Sequence, residues 1–165
     1  CGILSDTLCL RMSTTTHRDR KAVGFLAPMA GADPDELGAT LLERGMDLAA
    51  VPLDAILARD TKEFLLSGKK VIISQVMVPS FSWNRSRSSA IMAELAGLRS
   101  RGGADLAIAL FTSVMENASD GYCDGDTELV QALYGTGFPV RLAGVMSRKN
   151  DFLPDLGERM RRLGQ

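Results

Sequence analysis

The sequence predicts an α/β protein in which a mixed β-sheet is flanked by helices. Two apolar runs, Phe64–Leu66 and Val71–Ile73, surround Ser67-Gly68, a pattern typical of an antiparallel β-hairpin. A continuous apolar run, Leu106–Phe111, is typical of a strand that is buried on both faces. Amphipathic segments separate the later runs, and such helical connections allow neighbouring strands to pair in parallel.

The beginning of the chain predicts mainly helices. Ile3–Leu4 is interpreted as the end of a strand, with Asp6 just beyond it. Thr16 and Asp19 have the spacing of a capping box and predict the start of a helix. Gly31 is expected to end that helix, because glycine readily adopts the left-handed conformation of a helix C-terminus.

Two more helices are predicted before the hairpin. Asp33 is a suitable cap, Pro34 suits the first helical position, and Gly45 is expected to end this helix. Its apolar face would consist of Leu37, Leu41 and Leu42. A short helical piece is expected over Pro52–Arg59.

The remaining chain predicts loops, helices and one more strand. The polar stretches are expected to be loops and cover Ser80–Ser88 and Asn117–Asp126. The helices are marked by the series Ile91, Leu95 and Leu98, by Asp126–Leu133 and by Pro154–Met160. The strand is expected over the mostly apolar stretch Phe138–Val145.

Composition limits the classes of function. The chain has 165 residues, and its net charge of −1 argues against a generally basic surface for nucleic acid. Aromatic residues make up only 5%, which argues against base-stacking platforms. No apolar run approaches a membrane span, and no signal peptide is visible. Three cysteines fit neither a disulfide framework nor a zinc site, so we expect a cytoplasmic protein without membrane or nucleic-acid partners.

Two neighbouring cations, Arg148 and Lys149, follow the last predicted strand within the sequence GVMSRKND. Such a pair is either a solvated surface pair or an anion-binding pair. An arginine offers a planar fork of donors and a lysine a mobile point charge, and phosphate oxygens accept from both. The local sequence alone leaves both interpretations open. Asp6 is equally open, because it is either a turn or cap residue or part of a site at a strand end.

Three segments in order resemble one enzyme family. GILSDTLCL with the following STTT, DTKEFLLSGKKVIISQV and GVMSRKND resemble segments of family II, manganese-dependent inorganic pyrophosphatases. This resemblance implies that residues 1–48 are the end of a DHH phosphoesterase domain plus a linker. Residues 49–165 would be the C-terminal, DHH-associated substrate-binding domain. The N-terminal helical segment is then left over from the preceding DHH domain.

The resemblance also implies roles for individual residues. Asp6 matches a carboxylate that ligates the family's dinuclear metal centre. Lys62 matches a lysine that contacts phosphate, and Arg148 and Lys149 match the pair that binds the electrophilic phosphate. The chain departs from the family after these cations, with SRKND where SRKKQ is usual. It also departs after Gln75, with QVMVPSF where QVNTVD is usual.

The implied function is hydrolysis of pyrophosphate to two phosphates by the full-length protein. Its cofactor would be two Mn²⁺ ions (or Co²⁺ or Mg²⁺), but the only histidine, His17, does not occupy an Asp-His-His motif. We therefore expect the isolated chain to be inactive. Its partners would be pyrophosphate or polyphosphate and the upstream DHH domain, with a homodimer left open. The alternatives are an exopolyphosphatase of the DHH superfamily, or a non-catalytic module for phosphate ligands or assembly.

The resemblance gives the two cations a specific expected role. Arg148 and Lys149 would contribute to phosphate binding and to the transition state rather than to folding. This expectation treats both as surface cations, whose replacement usually changes stability by less than about 0.5 kcal/mol.

Overall fold

The computed structural model describes residues 2–7, 9–10, 15–45, 48, 51–135 and 137–164. The chain forms two compact units, Cys1–Ala49 and Ala50–Gln165. The boundary expected from the sequence falls between residues 48 and 49, and residue 49 lies outside the described residues. The origin of the first unit in a DHH domain stays a prediction.

Helices make up the first unit as far as it is described: α1 (Gly2–Asp6), α2 (His17–Ala30) and α3 (Pro34–Gly45). The prediction that Ile3–Leu4 ends a strand is wrong, because both residues lie in α1. Thr7 N donates to Ile3 O at 3.0 Å, which is a helical bond. A short apolar run fits one helical turn as well as a strand, so its length could not decide between them.

The predicted caps of the two longer helices are confirmed. Thr16 accepts a hydrogen bond from Asp19 N, and the Asp19 carboxylate accepts from Thr16 N at 2.7 Å. The hydrogen bonds that the Asp19 carboxylate accepts from the Thr16 hydroxyl and from Thr16 N lower the pKa of Asp19. Gly31 ends α2 in the left-handed conformation, and Asp33 accepts from the backbone at the start of α3. The Leu42 side chain, predicted on the apolar face of α3, lies outside the described residues.

The second unit contains the predicted mixed sheet. Its five strands follow the chain order: β1 (Thr61–Leu66), β2 (Lys69–Met77), β3 (Leu106–Ser113), β4 (Ala118–Gly125) and β5 (Val140–Ala143). Strands β2 and β3 are parallel, and the other neighbouring strands are antiparallel. The predicted α/β fold class is therefore confirmed.

Helices of the described second unit precede, connect and follow these strands. They are α4 (Leu53–Ala58), α5 (Ser82–Arg85), α6 (Ser88–Gly102), α7 (Thr127–Tyr134) and α8 (Leu153–Leu163). A short π-helix, Arg148–Phe152, leads directly into α8. Helices α4, α6, α7 and α8 lie where the sequence predicts them, within a few residues at their ends.

Two stretches differ from the sequence prediction. The stretch Ser80–Ser88, predicted as a loop, contains α5. The expected loop Asn117–Asp126 contains strand β4 instead, which lies between β3 and β5 and has the sequence ASDGYCDG. Its polar side chains are satisfied inside the fold: Ser119 donates to Val145 O at 2.7 Å and also bonds the Thr112 hydroxyl. Composition alone therefore did not reveal this strand, because its polar side chains are hydrogen-bonded inside the fold.

The hydrophobic core covers one face of the sheet, which we call the α8 face. It combines strand residues with residues from α7, the π-helix and α8: Val71, Ile73, Leu106, Ile108, Leu110, Cys123, Leu133, Phe152, Leu156 and Met160. Burial raises the pKa of the Cys123 thiol to about 12. Side chains alternate along a strand, so Lys62 shares the α8 face with Phe64 and Leu66, which pack on this core.

The hairpin between β1 and β2 turns through two residues with positive φ, Ser67 (49°) and Gly68 (77°). This turn type matches the right-handed twist of the flanking strands and requires positive φ at both central positions. Gly68 adopts that conformation without a Cβ clash. The turn therefore fixes the β1–β2 register, in which Lys62 lies opposite Ile73.

We expect opposite effects from replacing two glycines with alanine. Gly68→Ala should destabilise the second unit by about 1 kcal/mol, because a Cβ is unfavourable at positive φ. Gly157→Ala, in α8 with open space around its Cα, should stabilise the unit by about 0.5–1 kcal/mol. Urea unfolding followed by the fluorescence of Trp83, the sole tryptophan, measures both. Equal shifts of the two midpoints in one direction would contradict this account.

Candidate functional site

The candidate site lies near the carboxyl ends of the parallel strands β2 and β3, where α/β proteins commonly form sites. The Gln75 side chain, on β2, joins several segments there. Its Nε2 donates to Met146 O at 2.9 Å and to Thr112 Oγ1 at 3.0 Å. Its Oε1 accepts from Arg148 N at 3.1 Å. Gln75 therefore fixes the backbone on both sides of Ser147.

The segment after β5 is shaped further by its own polar residues. The Asp151 carboxylate accepts from Met146 N at 2.9 Å and from Ser147 N at 2.8 Å. The Ser147 hydroxyl accepts from Asn150 N at 3.2 Å and caps the π-helix. Asn150 and Asp151 are the residues at which the chain departs from SRKKQ. In this chain they stabilise the turn that presents Arg148 and Lys149.

Arg148 is buried, with only 6% of its surface exposed. Its Nη2 donates to Asp60 Oδ1 at 2.7 Å. Its Nη1 donates to Asp60 O at 2.6 Å and to Ile73 O at 3.0 Å. The expectation that Arg148 is a surface cation is therefore wrong. Its burial removes the reason for expecting that it has no role in folding. The guanidinium links the residue before β1 to β2 and to the π-helix.

Lys62 and Lys149 are both exposed. In the part of the chain that the structure describes, neither side chain makes a hydrogen bond or an ion pair. Lys62 lies opposite Ile73 in the sheet, and the Ile73 carbonyl accepts from Arg148. Lys149 follows Arg148 directly in the π-helix. The register of the hairpin thus brings Lys62 to the same edge of the α8 face as Arg148.

Asp6, the expected metal ligand, is the last residue of α1 and is exposed. Among the described residues, no group of three or more His, Cys, Asp and Glu side chains is arranged to hold a metal ion. One carboxylate does not make a two-metal site, which needs ligands that converge from several directions. Within the described residues, Asp6 therefore lacks the ligands that would complete such a centre.

Sequence reasoning missed two residues of this site. Asp60 immediately precedes the strand that carries Lys62, and Gln75 lies within the stretch ISQV. Both belong to segments that the motif comparison had singled out, which was the available signal. The sequence did not show that both residues bond Arg148, which follows Asp60 by 88 positions in the chain.

A second buried polar cluster occupies the opposite face of the sheet. Arg85 donates to both carboxylate oxygens of Asp120, at 2.8 and 3.0 Å, and Asp120 is completely buried. The hydrogen bond from Arg85 to Asp120 raises the pKa of the arginine. Arg141 lies over the Phe81 ring at 4.3 Å and makes an ion pair with Glu116. Opposite charges pair within this cluster, which connects α5 to β4.

None of the helices in the described ranges combines the length and apolar character needed to cross a bilayer.

Comparison with protein families identifies one match. A family model described as the DHHA2 domain matches residues 39–159. A relative from Thermotoga maritima, named probable manganese-dependent inorganic pyrophosphatase, is 37% identical over 98% of this chain and 30% of its own length. A relative from Bacillus licheniformis with the same name is 34% identical over 97% of this chain and 53% of its own length.

Comparison with solved structures gives the same result. The crystal structure of a candidate family II inorganic pyrophosphatase from Methanococcus jannaschii matches with a TM-score of 0.75 and 32% identity. The match covers 96% of this chain and 53% of the other. The resemblance inferred from the sequence motifs is therefore confirmed. The chain spans about half the length of most of these relatives and less of the Thermotoga one.

The burial of Arg148 predicts a stability effect that Lys149 should lack. Arg148→Ala leaves the buried Ile73 carbonyl without its donor and should destabilise the second unit by about 1–3 kcal/mol. Lys149→Ala removes an exposed side chain and should change stability by less than about 0.5 kcal/mol. Urea unfolding of the two variants, followed by Trp83 fluorescence, compares them directly. Equal stability of the two variants would show that the buried contacts of Arg148 contribute nothing to folding.

Proposed function

Because the chain belongs to the DHHA2 domain family, we propose that it is the substrate-binding part of a manganese-dependent inorganic pyrophosphatase. The names of its relatives and its likeness to the Methanococcus jannaschii structure support this proposal. The activity is assigned to the whole protein, because the chain spans only part of these relatives. Residues 1–48 would complete an upstream DHH domain, residues 49–165 would bind substrate, and the protein would act in the cytoplasm.

The observation that carries the proposal is the collection of cations at one edge of the α8 face. Lys62 lies opposite Ile73 in the sheet, the Ile73 carbonyl accepts from Arg148, and Lys149 follows in the π-helix. Pyrophosphate is a small polyanion, and its hydrolysis develops charge on the transferring phosphoryl group. Cations near the transferring group stabilise such charge. In this proposal the three residues bind the phosphoryl oxygens.

The cations would contribute in different ways. Lys62 and Lys149 are exposed and carry flexible ammonium groups that adapt to the oxygens of the substrate. Arg148 is fixed by its protein partners and offers a planar guanidinium in a set orientation. The substrate would therefore meet one rigid and two mobile cations. This arrangement binds the phosphoryl group while allowing small movements as the reaction proceeds.

The manganese ions are assigned to the whole protein. In this proposal Asp6 is one ligand, and the remaining ligands come from outside the described residues, which contain no metal-binding group of their own. Bound metal ions would supply the activated water and neutralise part of the substrate charge. The residues of the second unit would bind and orient the pyrophosphate.

We expect the whole protein to release phosphate from pyrophosphate in the presence of Mn²⁺, and the 165-residue chain alone to release none. In the whole protein, Lys62→Ala and Lys149→Ala should each reduce kcat/KM by roughly tenfold to a hundredfold, because each removes a charge-assisted contact. Lys69→Ala is the matched control, since this exposed lysine lies at the other end of β2. Phosphate release is measured with purified variants.

Several results would contradict the proposal. Turnover by the 165-residue chain would show that the site is not divided. A preference for long polyphosphate over pyrophosphate would favour an exopolyphosphatase. Binding of pyrophosphate by the whole protein without turnover would favour a non-catalytic phosphate-binding module. If Lys69→Ala lowered kcat/KM as much as Lys149→Ala does, the cations would act by general electrostatic attraction and not by specific contacts with the substrate.

A further inference from the structure

Asp60 contacts the site cation with both its backbone and its side chain. Its carbonyl accepts from Arg148 Nη1 and its carboxylate accepts from Arg148 Nη2. We propose that Asp60 is a positioning residue, which orients the Arg148 guanidinium so that one edge of it faces the phosphate. This inference rests on the proposed function, because it concerns the same cation. It assigns a purpose to a carboxylate that would otherwise oppose an anionic substrate.

The donor count of the guanidinium supports this role. The group has five N–H donors, and the Nη1 atom uses both of its own on the carbonyls of Asp60 and Ile73. The Nη2 atom uses one on the Asp60 carboxylate. Among the described residues, Nε and the second Nη2 hydrogen have no hydrogen-bond partner. A guanidinium carries Nε–H and one Nη2–H side by side on one edge, the geometry that binds phosphate in a bidentate manner.

The Arg148 and Asp60 side chains differ in their exposure to solvent. The Arg148 side chain is 7% exposed, whereas the Asp60 side chain is 51% exposed. The charge of Asp60 is therefore partly screened by water, and its repulsion of a bound phosphate is weakened. The guanidinium, by contrast, is confined by rigid backbone acceptors. Misplacing a binding group by about 1 Å can reduce a rate by about a hundredfold, so orientation should outweigh the screened repulsion.

Gln75 holds the backbone of Asp60 and of Arg148 independently of the Asp60 side chain. It accepts from Arg148 N, and its own backbone N donates to Asp60 O at 3.0 Å. Replacing the Asp60 side chain leaves both of these bonds and the carbonyl contact in place. The π-helix should therefore stay where it is, and only the guanidinium should gain freedom to rotate. Asp60→Ala also removes the charge partner of a buried guanidinium, so kcat/KM is compared under conditions in which urea unfolding shows that the variant is folded.

The experiment is a double-mutant cycle in the whole protein. Asp60→Ala should lower kcat/KM for pyrophosphate by roughly tenfold, since the guanidinium loses its orienting carboxylate. Asp60→Asn keeps an oxygen acceptor at the same position and should recover most of the loss. In the Arg148→Ala background, Asp60→Ala should have no further effect, because the group that it orients is gone. Asp54→Ala is the control, since it removes an exposed carboxylate from the adjacent helix α4.

Each other outcome overturns the inference. A rise in kcat/KM for Asp60→Ala would show that Asp60 competes with the substrate for Arg148. Equal losses in the wild-type and Arg148→Ala backgrounds would show a structural effect. An unchanged value, or a loss in Asp60→Asn as large as in Asp60→Ala, would exclude positioning through the oxygen acceptor. If Asp60→Ala does not fold, Asp60→Ser replaces it in both backgrounds under the same criteria, because its shorter side chain does not place an oxygen where Asp60 Oδ1 lies.

A wrong pyrophosphatase assignment and a wrong role for Asp60 would give different experimental results. If the whole protein does not hydrolyse pyrophosphate, the pyrophosphatase assignment falls. The affinity for pyrophosphate, measured by calorimetry on the same variants, then tests Asp60. Weaker binding in Asp60→Ala, restored in Asp60→Asn and absent from the Arg148→Ala background, supports positioning. Unchanged binding in both Asp60→Ala and Arg148→Ala overturns it.

Discussion

A buried guanidinium must have a partner for its charge, and this constraint organises the candidate site. An isolated charge in a protein interior is very unfavourable unless it is paired and hydrogen-bonded. Arg148 meets this requirement with Asp60, which precedes β1, and with the carbonyl of Ile73 in β2. The contact therefore connects the start of the sheet to the segment that follows its last strand. Once it forms, the π-helix and the exposed Lys149 have defined places.

Gln75 complements this pairing with neutral hydrogen bonds. Its side chain bonds the backbone at Met146 and Arg148 and the hydroxyl of Thr112 on the neighbouring strand. A side-chain amide can both donate and accept, so one residue satisfies backbone groups of opposite polarity. The polar end of the α8 face is thus built from the carboxyl ends of the parallel strands. The rest of that face is apolar core, which excludes water from below the site.

Local sequence signals predicted most of the fold, because caps and turns depend on neighbouring residues. The box at Thr16 and Asp19 and the two-residue turn at Ser67-Gly68 are examples. The strand β4 was not predicted, because Ser119 and Asp120 are satisfied by partners from distant segments. Partners that are distant in sequence also explain why the exposure of some cations could be predicted and that of Arg148 could not. Lys62 and Lys149 could be predicted as exposed charges, whereas the burial of Arg148 depends on an aspartate that is distant in sequence.

The pairing of Asp60 with Arg148 also relates the site to the order in which the chain is made. Asp60 precedes the first strand of the sheet, and Arg148 follows the last one. During synthesis the aspartate emerges long before the arginine that it contacts. The edge that is proposed to bind the anion can therefore form only after every strand of the sheet is available. A partial product that ends between the β1–β2 hairpin and the π-helix contains Lys62 but not the rigid cation, and it exposes the surfaces of Phe64 and Leu66 that the C-terminal helices would cover.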